Sequence, residues 1–167
     1  MGDVILRSHG LELHRFKPVH VMPFYEQLSE ENKREFKMAY ELDPLEAILR
    51  SMQDQMVFVV MRGEKILALT GVDDGCMWSM FSKEMPKYWV RFVRASHDLI
   101  NYYHHFYDWI HCDVWTENEM IHQWLSHLGF GADTFISVEN GQQLIRFVRC
   151  KTKQDNVHSF LSRPVMH

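Results

Sequence analysis

His111 and Asp113 are ionisable residues within a stretch that is otherwise apolar. They alternate with Ile110, Cys112 and Val114, and this pattern predicts a β-strand with two chemically different faces. An imidazole or carboxylate held on a core strand can accept a proton from a bound group, directly or through water. The same side chains can equally face solvent or cap backbone groups, and the sequence leaves both interpretations open.

Histidine and cysteine are the residue types with which this chain could bind a transition metal. The histidines weighed as ligands are His104, His105, His111, His122 and His127. His122 and His127 lie five residues apart and do not share a helix face, and scattered histidines are more often surface or core groups. The three cysteines, Cys76, Cys112 and Cys150, are widely spaced without a Cys-x-x-Cys pair. The sequence therefore predicts no metal site, no disulfide framework and a reducing compartment.

The bulk properties of the chain argue against several classes of protein. Its 167 residues suit one domain, and 46% hydrophobic residues with 24% charged residues is a globular composition. A formal net charge of -4, with no run of Lys or Arg, argues against nucleic-acid binding. The longest strongly apolar run, Met56 to Met61, is too short for a membrane span, and the N-terminus lacks the pattern of a signal peptide. We expect a cytoplasmic protein that is not secreted.

The N-terminal half predicts one strand, two or three helices and a three-stranded meander. Leu11 to Lys17 alternates apolar and polar residues and is closed by Pro18, which is typical of a strand. The further predicted elements are a helix after Val19, a helix capped by Ser29, a helix opened by Asp43-Pro44, a hairpin of 56–61 and 66–72 around Gly63, and a strand over Cys76 to Phe81.

The C-terminal half predicts a long helix, a strand, a shorter helix and a closing hairpin. The elements are a helix over 86–107, a strand over 110–114, a helix over 119–128 ended by Gly129, and strands over 135–138 and 144–150 joined by Asn140-Gly141. We predict one domain over residues 1–150 and a polar, poorly ordered tail over 151–167.

This order of elements resembles the GNAT N-acetyltransferase fold over roughly residues 11 to 150. The stretch Asn118-Glu-Met-Ile-His-Gln-Trp-Leu-Ser-His-Leu-Gly129-Phe130 looks like the GNAT ending, in which an Asn after the fifth core strand precedes a helix closing in Leu-Gly-Phe. A nearer resemblance is to the small GNAT-like proteins of tailed bacteriophages, some of them internal virion proteins. The motifs shared with them are Leu28-Ser-Glu-Glu-Asn-Lys-Arg-Glu35, Asp43-Pro44, Gly71-Val72, Trp78, Phe92 and the Leu-Gly-Phe ending. The resemblance implies an α/β (α+β) domain with a central, mixed, mostly antiparallel twisted sheet and helices on both faces.

The resemblance also implies where acetyl-CoA would bind. Active GNAT proteins carry Gln/Arg-x-x-Gly-x-Gly/Ala between the fourth strand and the long helix, and the glycines let backbone N–H groups approach the diphosphate. The corresponding segment, residues 82–88, has no glycine, carries acidic Glu84, and loses one donor at Pro86. Asn118 would contact the cofactor or simply cap the following helix. The implied cofactor contacts are Phe81, Ser82, Lys83, Lys87 and Asn118, the lysines supplying positive charge in place of the glycines.

GNAT enzymes often place a Tyr four residues before the Gly of the Leu-Gly-Phe ending, where it protonates the departing thiolate. Leu125 occupies that position and cannot donate a proton, so Ser126 or His127 would have to substitute. The candidate bases are Glu84, His111 and Asp113, and His127 is the candidate acid.

Two functions follow from these residues. The sequence favours a phage-encoded GNAT-like interaction module with a degenerate acyl-CoA site, acting in the virion or against a host protein. The reasons are that the glycine-rich diphosphate loop and the tyrosine proton donor are missing, and that five tryptophans are present. The alternative is an active acetyl-CoA-dependent N-acetyltransferase, with pantetheine between the strands Cys76–Phe81 and Ile110–Trp115. We expect a phage or host protein as partner, no nucleic acid and no membrane, and a place in the host cytoplasm or the phage particle. The oligomeric state stays open.

Overall fold

A mixed eight-stranded sheet forms the centre of the α/β domain in the computed structural model, which describes residues 3–39 and 41–152. The strands are β1 Val4–Ser8, β2 Leu11–Arg15, β3 Val57–Arg62, β4 Lys65–Asp73, β5 Cys76–Phe81, β6 Trp109–Trp115, β7 Gly131–Ser137 and β8 Gln143–Cys150. The helices are a 3-10 turn Pro18–His20, then α1 Val21–Glu26, α2 Glu30–Ala39, α3 Pro44–Ser51, α4 Met85–Tyr103 and α5 Glu119–His127.

The helix starts follow the predicted caps. The Ser29 hydroxyl accepts the Asn32 N–H at 3.2 Å, and the Asp43 carboxylate accepts two N–H groups at the start of α3, at 2.8 and 3.3 Å. Asn118 Oδ1 accepts the Ile121 N–H at 3.4 Å and so caps α5. Each of these side chains satisfies a backbone donor that the first helical turn leaves without a partner.

The strand order is β1-β2-β3-β4-β5-β6-β8-β7, and only the β5–β6 pair is parallel. These two strands share a single register pair, Cys76 with His111. The strands diverge beyond that pair, and we call the wedge between them the splay. Its vertex lies at Cys76 and His111, and it widens toward Phe81 and Trp115, the last residues of the two strands.

The two faces of the sheet carry separate cores. Helices α1 to α3 cover one face around Phe24, Leu28 and Ile48, which we call the α2 face. Helices α4 and α5 cover the other around Phe92 and Ile100, which we call the α4 face. Because burial of one such large apolar side chain contributes about 1.5–3 kcal/mol, both helical layers are held firmly against the strands that flank the splay.

The structure corrects three element boundaries. Two strands open the fold rather than one, because Val4–Ser8 pairs with β2 through a tight turn at His9 and Gly10, whose φ angles are 50° and 77°. The long helix ends at Tyr103 rather than at residue 107, and β7 begins at Gly131 rather than at 135. The start of β7 carries exposed residues at an edge of the sheet and therefore lacks the alternation that marks a half-buried strand.

Most of the predicted C-terminal tail lies outside the described residues, which end at 152. None of the helices within residues 3–39 and 41–152 combines the length and apolar character needed to cross a membrane.

Candidate functional site

A cavity of about 430 Å³ lies in the splay. Its walls come from α2, α3, β5, β6 and the start of α5, with Glu35, Ser51, Met80, Val114 and Trp124 among the lining residues. This volume lies within the range of about 300–1,000 Å³ that is usual for small-molecule sites. The divergence of two neighbouring strands creates the space, since a paired strand would fill it.

Glu35 is a partly buried carboxylate that lines this cavity from α2. Asn32 and Asn118 donate side-chain N–H groups to its Oε2 at 3.5 and 3.4 Å, and the Trp115 backbone also donates to it. Burial raises the pKa of Glu35, and these hydrogen bonds oppose the rise by stabilising the charged form. A carboxyl group with a raised pKa in a cavity is suited to exchange a proton with a bound ligand.

Glu35 is not among the functional residues predicted from the sequence. The available signal was the inward stripe of α2, which continues from Leu28 through Asn32 to Glu35 and Phe36 at helical spacing. Two polar residues on a stripe that should be apolar indicate that this part of α2 faces something other than a hydrophobic core.

A second polar cluster lies at the vertex of the splay, on the α2 face. The thiol of Cys76, the imidazole of His111 and the carboxylate of Asp113 each place one donor atom within 4.8 Å of the others. Arg146 on β8 donates to both oxygens of Asp113, at 2.8 and 2.9 Å. Burial and the negative charges of Asp113 and Asp73 raise the pKa of Cys76 to about 11, so the thiol by itself is protonated at neutral pH.

The segment that would hold a diphosphate is closed by its own hydrogen bonds. The N–H of Ser82 donates to Leu67 O at 3.0 Å, and that of Lys83 donates to Gln27 O at 2.7 Å. The N–H of Glu84 donates to the Ser82 hydroxyl at 3.2 Å. The next donors, Met85 and Lys87, donate to Ser82 O at 3.1 Å and Glu84 O at 3.2 Å, and Pro86 between them has no N–H. Every backbone donor from 82 to 87 therefore has an internal acceptor.

The end of β5 that faces the splay is closed as well. The N–H of Phe81 donates to Oδ1 of Asn32 at 2.5 Å, and Phe81 O accepts the Ser29 N–H at 2.9 Å. The Asn32 side chain is buried and accepts the Phe81 N–H, so it occupies the edge of β5 at Phe81. The chain between α1 and α2 thus satisfies both backbone hydrogen-bonding groups of Phe81 at the end of β5.

The charged side chains of this segment neutralise each other at the surface. Glu84 lies 3.2 Å from the Lys87 ammonium and 3.5 Å from that of Lys65. Hydrogen bonding by Lys87 and the positive charges of both lysines lower the pKa of Glu84. Lys83 lies 4.0 Å from the carboxylate of Glu30. Glu84 therefore stays ionised and paired with lysines, and it does not line the splay cavity.

Aromatic side chains fill the α4 face beneath the splay. The rings of Phe81, Trp89, Phe92 and Trp124 have centroid separations between 5.3 and 6.2 Å. Trp124 Nε1 also donates to the Ser96 hydroxyl at 3.1 Å. This packing fixes the distance between α4 and α5.

His127 lies away from the splay. Its ring packs at 5.3 Å from that of His97 on α4, and it is absent from the lining of the cavity. Leu125 is fully buried, and the exposed Ser126 lies on a different side of α5. Neither residue that could replace the missing tyrosine lines the cavity, as far as the described part of the chain shows.

The candidate residues from the sequence thus fall into three groups. Phe81, Asp113 and Asn118 line the cavity, and His111 lies beside it at the vertex. Ser82, Lys83, Glu84 and Lys87 lie at the start of α4, and His127 lies at the end of α5. The residues that the sequence analysis missed are Asn32, Glu35, Cys76 and Arg146.

No protein-family model matches the sequence, and no curated protein matches it. Solved structures do. A GNAT-family acetyltransferase from Streptococcus agalactiae superposes with a TM-score of 0.69 at 13% identity, covering 89% of this chain and 99% of that one. The chain has the GNAT fold. The fold prediction is thereby confirmed, and the single α/β domain with its mixed sheet matches these neighbours.

Two further solved structures with this fold are of acetyltransferases. The ribosomal-protein-S5-alanine acetyltransferase of Vibrio fischeri has a TM-score of 0.66 at 15% identity, covering 90% of this chain and 98% of that one. A ribosomal L7/L12 alpha-N-protein acetyltransferase in complex with coenzyme A has a TM-score of 0.67 at 11% identity, covering 89% and 98%. At these identities the likeness establishes the fold.

Proposed function

We propose that this protein is a GNAT-fold binding module that does not hold acyl-CoA in the manner of the fold's enzymes and acts by contact with a protein partner. The observation that carries the proposal is the complete internal hydrogen bonding of the backbone from Ser82 to Lys87. A diphosphate needs several donors that point at it from a helix start, and here each donor already has an acceptor.

The expected loss of affinity is large. Each internal hydrogen bond contributes about 0.5–1.5 kcal/mol net, so releasing three of them costs about 1.5–4.5 kcal/mol. Since 1.4 kcal/mol is about tenfold in a dissociation constant, this weakens binding by about 10-fold to about 2,000-fold. A dissociation constant of about 1 μM would become about 10 μM to about 2 mM.

A protein partner is supported by large apolar side chains at the surface. Trp109 is 64% exposed and Phe135 is 69% exposed, and aromatic residues of this size are enriched at protein interfaces. The motifs shared with phage GNAT-like proteins support a phage origin. We propose a virion-associated or host-directed role on this basis, in the phage particle or the host cytoplasm.

The second candidate function is acetyl-CoA-dependent N-acetyl transfer, and Glu35 is the observation that favours it. A carboxylate with a raised pKa, facing a cavity between the splayed strands, is placed to take a proton from an amine. This candidate requires the 82–87 segment to rearrange before acetyl-CoA could bind.

Isothermal titration calorimetry with acetyl-CoA separates the two functions. We expect a dissociation constant of about 10 μM or weaker, or no measurable binding. A Glu84→Gly, Pro86→Gly double variant adds a backbone N–H at position 86 and gives the segment the freedom to turn its donors outward, so it is expected to bind measurably more tightly. Glu64→Gly in the exposed β3–β4 turn should not. A dissociation constant of about 1 μM or tighter for the unmodified chain would overturn the proposal. Glu35-dependent release of free thiol in the presence of an amine would then establish the second candidate.

A further inference from the structure

We propose that Cys76, His111 and Asp113 form a zinc site at the vertex of the splay. The three side chains supply sulfur, nitrogen and oxygen donors, which are the ligand types that Zn²⁺ takes in proteins. Their donor atoms all lie within 4.8 Å of one another. The inference does not depend on the proposed function, because the cluster lies apart from the 82–87 segment.

The backbone holds the three residues on one face of the sheet. Cys76 and His111 are register partners across β5 and β6, and the His111 N–H donates to Gly75 O at 2.9 Å. Asp113 lies two residues further along β6, so its side chain points to the same side as that of His111. This is the one place where β5 and β6 are paired, and the ligand positions are therefore fixed better than they would be deeper in the splay.

The spacing of the donors suits a tetrahedral ion. Zn–S is about 2.3 Å and Zn–N and Zn–O are about 2.0–2.2 Å, so donors around a bound zinc lie about 3.2–3.8 Å apart. Small side-chain rotations that move the donor atoms by about 1 Å would bring them from within 4.8 Å of one another to this spacing. A thiolate and an imidazole together favour zinc over magnesium and calcium, which take oxygen ligands.

Arg146 acts as the positioning residue for Asp113. Its guanidinium donates to both carboxylate oxygens, at 2.8 and 2.9 Å, and uses two of the roughly four lone-pair directions that a carboxylate offers. Hydrogen bonds of this kind orient ligands around metal ions. With the thiolate and carboxylate each carrying one negative charge and Arg146 one positive charge, a divalent cation finds a net negative site.

Three protein ligands leave a fourth zinc position for water. Cys76 and Asp113 both line the splay cavity, so the cavity adjoins the cluster and gives solvent and small molecules access to it. Binding converts the Cys76 thiol to a zinc-bound thiolate and releases its proton to solvent. The apparent affinity therefore falls as the pH is lowered.

The test uses the full chain after removal of metal with a chelator. Titration with Zn²⁺ is expected to give one ion per chain, and Co²⁺ should give the near-ultraviolet thiolate-to-cobalt charge-transfer absorption. Cys76→Ser and His111→Gln should each weaken binding by more than about 100-fold, and Arg146→Gln by about 10-fold to 100-fold. Cys150→Ser is the matched control, since Cys150 is an exposed free thiol on β8, and it should bind as the unmodified chain does.

Three results would each overturn the zinc site. One is the absence of stoichiometric Zn²⁺ binding by the unmodified chain. The others are binding that survives Cys76→Ser and a cobalt spectrum without the thiolate band, because in either case the ion would be held by other residues. Far-ultraviolet circular dichroism shows whether each variant is folded. Because the cobalt spectrum of the unmodified chain needs no variant, the test stays decisive even if a variant misfolds.

Discussion

The α2 face and the α4 face of the splay have opposite properties. On the α2 face, polar groups line part of the splay cavity, with Glu35 along its side and Cys76 and Asp113 at the vertex, while Phe81 and Trp124 line it from the α4 side. On the α4 face, aromatic rings fill the space beneath the strands, and the backbone that leads into α4 has satisfied all of its donors. The divergence of β5 and β6 creates space, and the local sequence decides whether the space stays open or is filled.

The largest expected change in the free energy of unfolding comes from removing a large side chain from the α4 face. Trp124 is 3% exposed and packs against Phe81, Trp89 and Phe92. Replacing it with alanine should destabilise the protein by about 3–5 kcal/mol, because a large cavity is left and the Ser96 contact is lost. Urea unfolding measures the change, and Trp109→Ala at an exposed position should stay within about 0.5 kcal/mol. Equal effects of the two substitutions would contradict the difference between the faces.

The next effect concerns the closed end of β5. Asn32→Ala removes the acceptor of the buried Phe81 N–H and should destabilise the protein by about 1–3 kcal/mol. Amide hydrogen exchange at Phe81 should become faster in the variant. Asn140→Ala is a useful control, because Asn140 donates to Met38 O from an exposed turn and its loss should change the free energy of unfolding less. Unchanged exchange at Phe81 would show that Asn32 does not close this strand edge.

The pH dependence of stability tests the polar character of the α2 face. Burial raises the folded-state pKa of Glu35 above its unfolded value, so ionisation of Glu35 opposes folding. Its contribution is least favourable above the folded pKa and improves as the pH falls toward the unfolded value. The stability of the unmodified chain should therefore rise relative to Glu35→Gln as the pH is lowered through this window, in paired urea titrations. The opposite slope would mean that the hydrogen bonds to Glu35 outweigh its burial.

The smallest effect belongs to the surface charges at the start of α4. Glu84 makes exposed pairs with Lys65 and Lys87, and water and salt screen such pairs strongly. Glu84→Gln should leave the urea midpoint unchanged within error at physiological ionic strength. A clear loss of stability would show that Glu84 holds the 82–87 segment closed through more than its ion pairs.

The predictions from sequence succeeded where the signal was local. The caps at Ser29, Asp43 and Asn118 were readable because a capping residue and its helix are adjacent in the chain. The lack of glycine in residues 82–88 is equally visible in the sequence, and the structure shows which group accepts each backbone N–H from 82 to 87. β1 and the start of β7 were missed because edge strands need no alternating pattern.

From Leu11 onward, the sequence by itself determined the order of the elements, their caps and the absence of glycine from residues 82–88, because helical and strand periodicity act over a few residues. Only the tertiary structure decided which side chains meet. Cys76 reaches His111 and Asp113 through a single parallel pair, and Arg146 reaches Asp113 through β8. Glu35 faces the splay because α2 packs beside it. Strand register and helix packing join residues far apart in the chain, and no local pattern encodes these contacts.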